Sequence, residues 1–406
     1  MRWLIRIVLG LLLLAALAAG SLFALYESNK VAIPDLAKSS TIDTRQIDGA
    51  QSGAIARAAE RLEQLRREMG YPAVSVAVAV DGIIVWQEAR GWASLESKAP
   101  AKVDTPFAIG SVSKTLTAAV AMKLTERGVL DLDADIRKYL PSFPQKEHVM
   151  TVRQLLSHQA GIRHYNFVLS PPTFSEFGAT GQYDRVVDSL GVFANDPLLF
   201  KPDTDFAYSS YGFNLLSAVM EAAAGKPFLE LMQAELFTPL QLTGTGPDDK
   251  LRPVPGRASD YQNILRDGAV LPAPFTNSSG KWAGGGFRGT PTDLARFGAA
   301  LLRGEVVGHE TLQVMFTPRT LANGKVNRQN YALGVRVDQI TDPAFPGKSW
   351  RAVHHGGVAV GSQAMLVMLP DQKIVVALSA NATTQPPGQG MFDTATDIAL
   401  VFAETR

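Results

Sequence analysis

Ser111 and Lys114 are three residues apart, where an apolar stretch over residues 115–127 predicts a buried helix that ends at Gly128. Side chains at positions i and i+3 of a helix share a face, about 5–6 Å apart at Cβ. A serine becomes a nucleophile only when a neighbour takes its proton, and a lysine can do so only when its pKa is lowered. The positive end of the helix dipole would favour negative charge on Ser111. The spacing therefore predicts a nucleophile and its base; the alternative is that Ser111 only caps the helix.

A second pair with the same spacing, Ser278 and Lys281, lies among turn residues. Its two side chains need not share a helical face, so Ser111 is the favoured nucleophile.

A tyrosine and a serine follow in residues 201–212, just before a stretch over 213–224 that predicts a helix. Tyr208 and Ser210 are two residues apart, which lets both hydroxyls point into one cleft. Tyr208 is therefore a candidate proton relay. The alternative is a core tyrosine with a satisfied hydroxyl group. Tyr261 offers a weaker candidate in a loop-like stretch.

Residues 353–361 contain two histidines and then glycines, before a predicted strand over residues 363–369. Gly356 and Gly357 would allow a backbone to approach closely. The N–H of Val358 could then pair with the N–H of Ser111 as an oxyanion hole. Neighbouring residues on a strand face opposite sides, so only one histidine is expected to serve the cleft; a surface or capping role is the alternative.

Composition excludes several other kinds of chemistry. The chain has 406 residues, 46% of them apolar, with 39 basic against 38 acidic residues and no cysteine. The even charge balance gives no electrostatic case for binding nucleic acid. The lack of cysteine excludes disulfides, thiol catalysis and thiolate zinc sites. The six histidines have no metal-ligand spacing, and no cofactor motif is present, so we expect neither metal nor cofactor.

The chain begins with an apolar run over residues 7–26, preceded by Arg2 and Arg6. About 20 such residues can cross a bilayer as a helix, and the flanking charge favours a cytoplasmic N-terminus. We expect residues 1–26 to be a signal-anchor and residues 27–55 a linker. The catalytic domain would then be inner-membrane anchored in the periplasm. A cleaved signal at the small-x-small sequence of residues 16–18 would instead make the protein secreted.

The remaining pattern predicts strands at both ends of the chain and helices between them. Asp81-Gly82 separates two β-rich runs, which is a strong hairpin signal. The other expected elements are helices over 57–69, 151–158, 291–302 and 393–403 and strands over 331–337 and 374–378. This order indicates an α/β layer built from both termini, with a helical region inserted.

Ser-x-x-Lys, Tyr-Ser-Ser and His-Gly-Gly, in this order, resemble the penicillin-recognising serine hydrolases. That family includes class C β-lactamases, D-Ala-D-Ala carboxypeptidases and related esterases. The resemblance covers about residues 60–400, and segments 155–165, 195–202 and 281–287 look like the mitochondrial serine β-lactamase-like branch and its bacterial relatives. It implies an α+β, β-lactamase/transpeptidase-like domain over residues 56–406, with an antiparallel sheet flanked by helices. Residues 116–284 would form its helical subdomain, and residues 56–115 with 285–406 its α/β subdomain.

The resemblance also implies roles for the site residues. Ser111 would be acylated, Lys114 would be the base or hold it in a proton network, and Tyr208 would pass protons to the leaving group. His355 would support the tyrosine and the substrate's anionic end; it is preferred to His354 because residues 355–361 align without a gap. Ser210 occupies a position where the family commonly has asparagine. His355 occupies the position of the lysine found in efficient class C enzymes. Both departures argue against strong antibiotic hydrolysis.

We therefore expect a membrane-anchored serine hydrolase that cleaves an amide or ester through an acyl-enzyme on Ser111. Its substrate would be a small molecule or peptide, including D-amino-acid peptides or β-lactam-like compounds. Residues 160–200 and 245–285 would form the pocket walls. The alternative is a catalytically weak or inactive penicillin-binding-like envelope protein with a binding or self-assembly role. The resembled branch includes a filament former, so a homo-oligomer is allowed, although the chain reveals no assembly surface.

Overall fold

The computed structural model describes residues 2–34, 41–46, 51–166, 168, 175–343 and 345–404. The helices are α1 Arg2–Asn29, α2 Ser52–Met69, α3 Ser113–Glu126, α4 Val152–Leu156, α5 Ser210–Ala224, α6 Phe228–Met232, α7 Trp282–Gly285, α8 Pro291–Leu302, α9 His309–Met315 and α10 Met391–Ala403. Short 3₁₀ segments occur at Gly110–Val112, Ile136–Lys138, Glu176–Gly178 and Val186–Val192, and a π-helical turn at Gln233–Phe237.

The strands are β1 Val31–Ala32, β2 Ile42–Gln46, β3 Ala73–Val80, β4 Ile83–Ser94, β5 Ala99–Pro100, β6 Phe107–Ala108, β7 Gly246–Pro247, β8 Tyr261–Gln262, β9 Ala269–Pro272, β10 Phe287–Gly289, β11 Arg336–Ile340, β12 Trp350–Ala359, β13 Ser362–Leu369, β14 Ile374–Ala380 and β15 Ala382–Thr383. The main sheet has the order β11-β12-β13-β14-β3-β4-β2, with β5 on β4, and every pair in it is antiparallel.

The hairpin predicted at Asp81-Gly82 joins β3 to β4. Its two turn residues have φ of 49° and 86°, as a type I′ turn requires. The strand β14 pairs with β3 on the other side, so the two ends of the chain meet in the middle of the sheet. This meeting confirms the layer built from both termini.

Both faces of the sheet are covered, because its central strands are apolar on both sides. In β3, Ala77 and Ala79 face the core that contains α3, α5 and α8. Val76 and Val78 alternate with them and face the core formed with α2 and α10. A strand with this two-sided apolar pattern needs helices on each face. The helical middle of the chain shares one core with the sheet, so the subdomain division at residues 116–284 remains a prediction.

The predicted helices are present, with small changes at their ends. Helix α8 has the predicted bounds, and Thr290 caps it by accepting a hydrogen bond from Asp293 N at 3.0 Å. Helix α4 is shorter than predicted and begins with a capping box between Thr151 and Gln154. Helix α5 begins three residues earlier than predicted, which brings Ser210 into its first turn.

One prediction on the C-terminal half was wrong in detail. The strand expected over residues 331–337 begins only at Arg336, because Ala332 N bonds Val335 O at 2.8 Å across a turn where Gly334 has φ 78°. The His-Gly-Gly segment precedes β13, the strand expected over residues 363–369, and itself lies within β12.

The linker expected over residues 27–55 contains regular structure in its described part. Strand β1 pairs with β9, β2 adds to the sheet edge against β4, and α2 begins at Ser52. Residues 35–40 and 47–50 of this stretch lie outside the described residues. The domain therefore extends further toward the N-terminus than the polar composition predicted, since backbone hydrogen bonds at a sheet edge need no apolar pattern.

Helix α1 carries the apolar run. Within the described part of the chain it alone is long and apolar enough to cross a membrane, over Arg6–Asn29, and the apolar 18-residue window of this stretch is not buried against the domain. Near its C-terminal end Tyr26 is buried and donates a hydrogen bond from its hydroxyl to Asp267 at 2.7 Å. The helix thus ends against the loop before β9.

Candidate active site

Ser111 lies in the 3₁₀ turn Gly110–Val112 that leads directly into α3. Its side chain lines a cavity of about 710 Å³. Below it, Ser113 fixes the turn by donating to Gly110 O at 2.6 Å and accepting from Phe287 N at 3.2 Å. The predicted nucleophile therefore stands at a helix start and at the edge of a cleft.

Lys114 is fully buried one turn further on and faces Ser111. Its Nζ lies 3.2 Å from Ser111 Oγ and 2.8 Å from Ser210 Oγ, and it also contacts the backbone carbonyl of Gly284. No carboxylate within the described ranges lies within ion-pair distance of Nζ, and burial holds the pKa of Lys114 well below its usual range.

These three contacts of Lys114 match a neutral amine. Two N–H groups can be donated to Gly284 O and Ser210 Oγ, which leaves the lone pair to accept the Ser111 hydroxyl hydrogen. The arrangement can therefore take a proton from Ser111.

Tyr208 is the third predicted group, and it lines the same cavity. Its side chain makes a hydrogen bond with that of Ser111, and its ring lies 4.8 Å from Lys114 Nζ. Burial raises the pKa of Tyr208 to about 12, although the bond with Ser111 opposes that shift. At neutral pH the phenol therefore keeps its hydrogen and can donate it.

His355 has a different partner from the one expected. Its Nε2 lies 3.0 Å from the hydroxyl of Tyr331, and its Nδ1 lies 2.7 Å from Gly356 O. A carbonyl can only accept, so Nδ1 carries the hydrogen and Nε2 accepts from Tyr331. Its ring centroid is 6.2 Å from that of Tyr208.

His355 is also uncharged at neutral pH. Burial holds the pKa of His355 well below its usual range, and the nearby Arg336 also lowers it. Nε2 of His355 is occupied by the buried hydroxyl of Tyr331, so the support of Tyr208 by His355 remains a prediction. His355 still lines the cavity, but its neutral imidazole would offer a substrate no positive charge.

His354 also reaches the cavity, although only one histidine was expected there. Its Nε2 lies 2.8 Å from Asp338 Oδ2, and its ring centroid lies 4.3 Å from that of Phe392, with the two rings tilted by 38°. The cavity extends past the edge of the sheet to α10, so both faces of β12 border it.

Gly357 of β12 lies directly against the nucleophile's backbone. A Cβ on Gly357 would lie 1.9 Å from Ile109 O and 3.1 Å from Ser111 N, and one on Gly110 would lie 2.6 Å from Val358 N. Only glycines permit this approach. The backbone of Val358 thus lies beside that of Ser111, as the predicted oxyanion hole requires.

Several site residues gave no clear signal in the sequence. The carbonyl of Gly284 contacts Lys114 from α7, and Gly285 packs beside the Ser111 backbone. The glycine run at 284–286 was the only hint of this close packing. Tyr331 was placed in a strand that begins only at Arg336, so the turn that brings the two residues near the site was missed.

In the second Ser-x-x-Lys pair, only the lysine lines the cavity. Ser278 lies away from the cavity, whereas Lys281 lines it and donates to Phe177 O at 2.6 Å. The expected wall segments both contribute, through residues such as Tyr165 and Phe177 on one side and Gly285 on the other. Among the described residues no group of three or more histidine, aspartate or glutamate side chains could hold a metal ion.

Comparison with known proteins agrees with this fold and site. A family model described as beta-lactamase matches residues 58–400. A serine, a buried lysine and a tyrosine meeting at a cleft on this fold define a class of serine hydrolases. The chain belongs to the beta-lactamase family.

Individual relatives show the same relationship. The mouse serine beta-lactamase-like protein LACTB, described as mitochondrial, is 30% identical over 454 residues, which cover 87% of this chain and 81% of the relative. The D-amino acid amidase of Ochrobactrum anthropi SV3 superposes with a TM-score of 0.72 at 20% identity, over 87% of this chain and all of the other. The octameric penicillin-binding protein homologue from Pyrococcus abyssi has a TM-score of 0.70 at 22% identity, covering 86% and 77%. These structures confirm the β-lactamase/transpeptidase-like fold.

Proposed function

We propose that this protein hydrolyses an amide or ester through a covalent acyl-enzyme on Ser111. The observation that carries the proposal is the buried Lys114, whose amine is 3.2 Å from Ser111 Oγ and has no carboxylate beside it in the part of the chain that the structure describes. A lysine in that state is a base at neutral pH.

Each group has one step in the proposed reaction. Ser111 Oγ attacks the carbonyl carbon while its proton passes to Lys114 Nζ. The N–H groups of Ser111 and Val358 receive the oxyanion. Tyr208 gives its proton to the leaving nitrogen or oxygen and regains one from Lys114. Water then cleaves the acyl-enzyme by the reverse proton path, which returns Ser111 to its hydroxyl form.

The remaining predicted residues shape the cleft rather than move protons. Gly357 lets β12 lie against the Ser111 turn, whereas Gly356 packs against Met365 and forms part of the cavity wall with His355. Ser210 Oγ is engaged by Lys114, so it helps to orient the base and offers the substrate no amide donor. This supports a peptidase, amidase or esterase activity over the hydrolysis of an antibiotic. Because the amidase named above has the same fold, D-amino-acid amides and peptides belong in the test panel.

We further propose that α1 is a membrane signal-anchor that holds the catalytic domain in the periplasm. Its apolar length, its exposure and the arginines before it support this placement. N-terminal sequencing of the mature protein tests it. A sequence that starts at residue 1 supports an anchor, and a sequence that starts near residue 18 indicates a cleaved signal.

We also propose that the chain forms a homo-oligomer, since the penicillin-binding protein homologue from Pyrococcus abyssi is octameric. Analytical ultracentrifugation of the detergent-solubilised protein tests this, because a monomer at all concentrations would contradict it.

A substrate panel tests the proposed function. Esters, D-amino-acid amides and peptides, and a chromogenic β-lactam are incubated with the wild-type protein and with Ser111→Ala. Turnover of at least one class that disappears in the variant supports the hydrolase. No turnover of any class would favour the alternative of a binding or self-assembling protein.

A further inference from the structure

A second lysine amine stands at the cleft, and the proposed reaction does not use it. Lys281, at the start of α7, is partly buried, and its side chain lines the same cavity as Ser111. Its Nζ donates to Phe177 O at 2.6 Å and lies 4.8 Å from the centre of the Phe177 ring. A lysine has three N–H donors, so two remain for another acceptor.

The acids near Lys281 already have other partners. Asp248 binds Arg257 at 2.6 Å, and Asp260 binds Lys250 at 2.8 Å. No carboxylate within the described ranges forms an ion pair with Lys281. The charge of this amine is therefore not neutralised by the protein.

The rest of the cleft does not supply an opposite charge either. Among the described residues the one carboxylate that lines it is Asp338, which accepts from His354 at 2.8 Å and from Asn330 at 2.7 Å. A second cation, Arg336, lines the wall near Asp338. A cavity whose cations outnumber its acids attracts an anionic ligand.

We propose that Lys281 binds a carboxylate of the substrate, so that the substrate is an ester or amide carrying a negative charge. This inference rests on the proposed function and deepens it. The carboxylate would accept from the two free N–H groups of Lys281 while the third stays on Phe177 O. The bond to Phe177 also holds the amine at the cavity wall, which reduces the ordering that binding requires.

The protonation state of Lys281 gives a second way to test the site. Burial, together with the nearby Lys250 and against the opposing effect of Asp248, lowers the pKa of Lys281 to about 8. Arg257 and Asp260 face the same cluster as a bonded pair. The amine is therefore mostly charged at neutral pH and loses its proton as the pH rises past about 8, so carboxylate binding should weaken in that range.

The experiment compares two ligands of nearly equal shape, hippurate and its neutral amide, by titration calorimetry on the full-length Ser111→Ala protein. We expect the carboxylate to bind roughly 10- to 100-fold more tightly than the amide, as charge-assisted hydrogen bonds predict. Adding Lys281→Met should bring this ratio close to one, whereas Lys281→Arg should keep it. Lys226→Met, which removes an exposed lysine beyond α5, is the matched control and should leave the ratio unchanged. The preference should also fade above about pH 9 in the lysine protein but not in the arginine variant.

The inference is overturned if the protein with Lys281 intact binds the two ligands equally well. It is also overturned if the preference for the carboxylate persists in Lys281→Met, or if neither ligand binds. Thermal melting confirms that each variant is folded. Because Ser111→Ala cannot turn over, this result is separate from the proposed function. A carboxylate preference that depends on Lys281 in a protein that never acylates Ser111 would overturn the hydrolase proposal alone.

Discussion

The amine of Lys114 reaches the hydroxyl of Ser111 from inside the protein, 3.2 Å away. Its other two contacts are the Gly284 carbonyl and Ser210 Oγ, which both accept hydrogen bonds. A charged ammonium here would be buried without a counter-ion in the surrounding described residues, which costs far more than a neutral amine does. The site is therefore built to keep the base deprotonated.

Replacing this base should slow acylation. Lys114→Ala removes the proton acceptor, and we expect the acylation rate to fall by about 10²–10⁴-fold. Stopped-flow or gel-based labelling with a fluorophosphonate measures the rate, and Lys226→Met serves as the control. A rate within about 3-fold of wild type would remove Lys114 from the proton transfer.

Lys114→Met should make the protein more stable at neutral pH, by a margin that shrinks as the pH rises. The folded pKa of Lys114 is depressed, so between that value and the unfolded value the unfolded chain binds one more proton. Wild-type stability then rises with pH relative to the variant, by up to about 1.4 kcal/mol per pH unit. Urea titrations from about pH 6 to about pH 9.5 measure the difference. A difference that does not change with pH would show that Lys114 is protonated in the folded protein.

Tyr208→Phe should affect poor leaving groups most. Its hydroxyl makes a hydrogen bond with Ser111, and burial keeps it protonated, with a pKa of about 12. We expect kcat/KM for an anilide to drop by about 10²-fold and that for a p-nitrophenyl ester by much less, because nitrophenolate leaves without a proton. Tyr139→Phe is the control, since that hydroxyl accepts from Asp131 N instead. Equal losses for both substrates would contradict leaving-group protonation.

Gly357→Ala should disrupt the contact between β12 and the Ser111 turn. The added Cβ would lie 1.9 Å from Ile109 O, so the strand must move. We expect at least about 2–3 kcal/mol of destabilisation, together with slower labelling of Ser111, because Val358 moves with the strand. Gly191→Ala is the matched control: nothing lies within 4 Å of its Cβ, and its change should stay within about 0.5 kcal/mol. Equal stability and labelling in the two variants would refute the close approach.

Local spacing was enough to predict the centre of the site. Ser111 and Lys114 are one helical turn apart, so their proximity follows from helix geometry alone. The hairpin and the capped helix could also be predicted, because they depend on residues that are close together in the sequence. The turn at Asp81-Gly82 and the cap at Thr290 both depend on neighbouring residues.

Partners that are distant in the sequence could not be predicted in this way. The carbonyl that accepts from Lys114 belongs to Gly284, 170 residues away, and every residue has such a carbonyl. The bond between Tyr331 and His355 depends on the register of β11 against β12 and on the turn at Gly334. Alternating apolar residues fitted a strand over that turn, so the pairing of His355 was missed.

The central claim is that Ser111 carries the acyl group, and peptide mass spectrometry tests it most directly. The full-length protein is incubated with a fluorophosphonate and with a fluorescent penicillin, digested and analysed for the modified residue. We predict an adduct on Ser111 with at least one probe, and no adduct in Ser111→Ala. An adduct on another residue, or equal labelling of both proteins, would contradict the account.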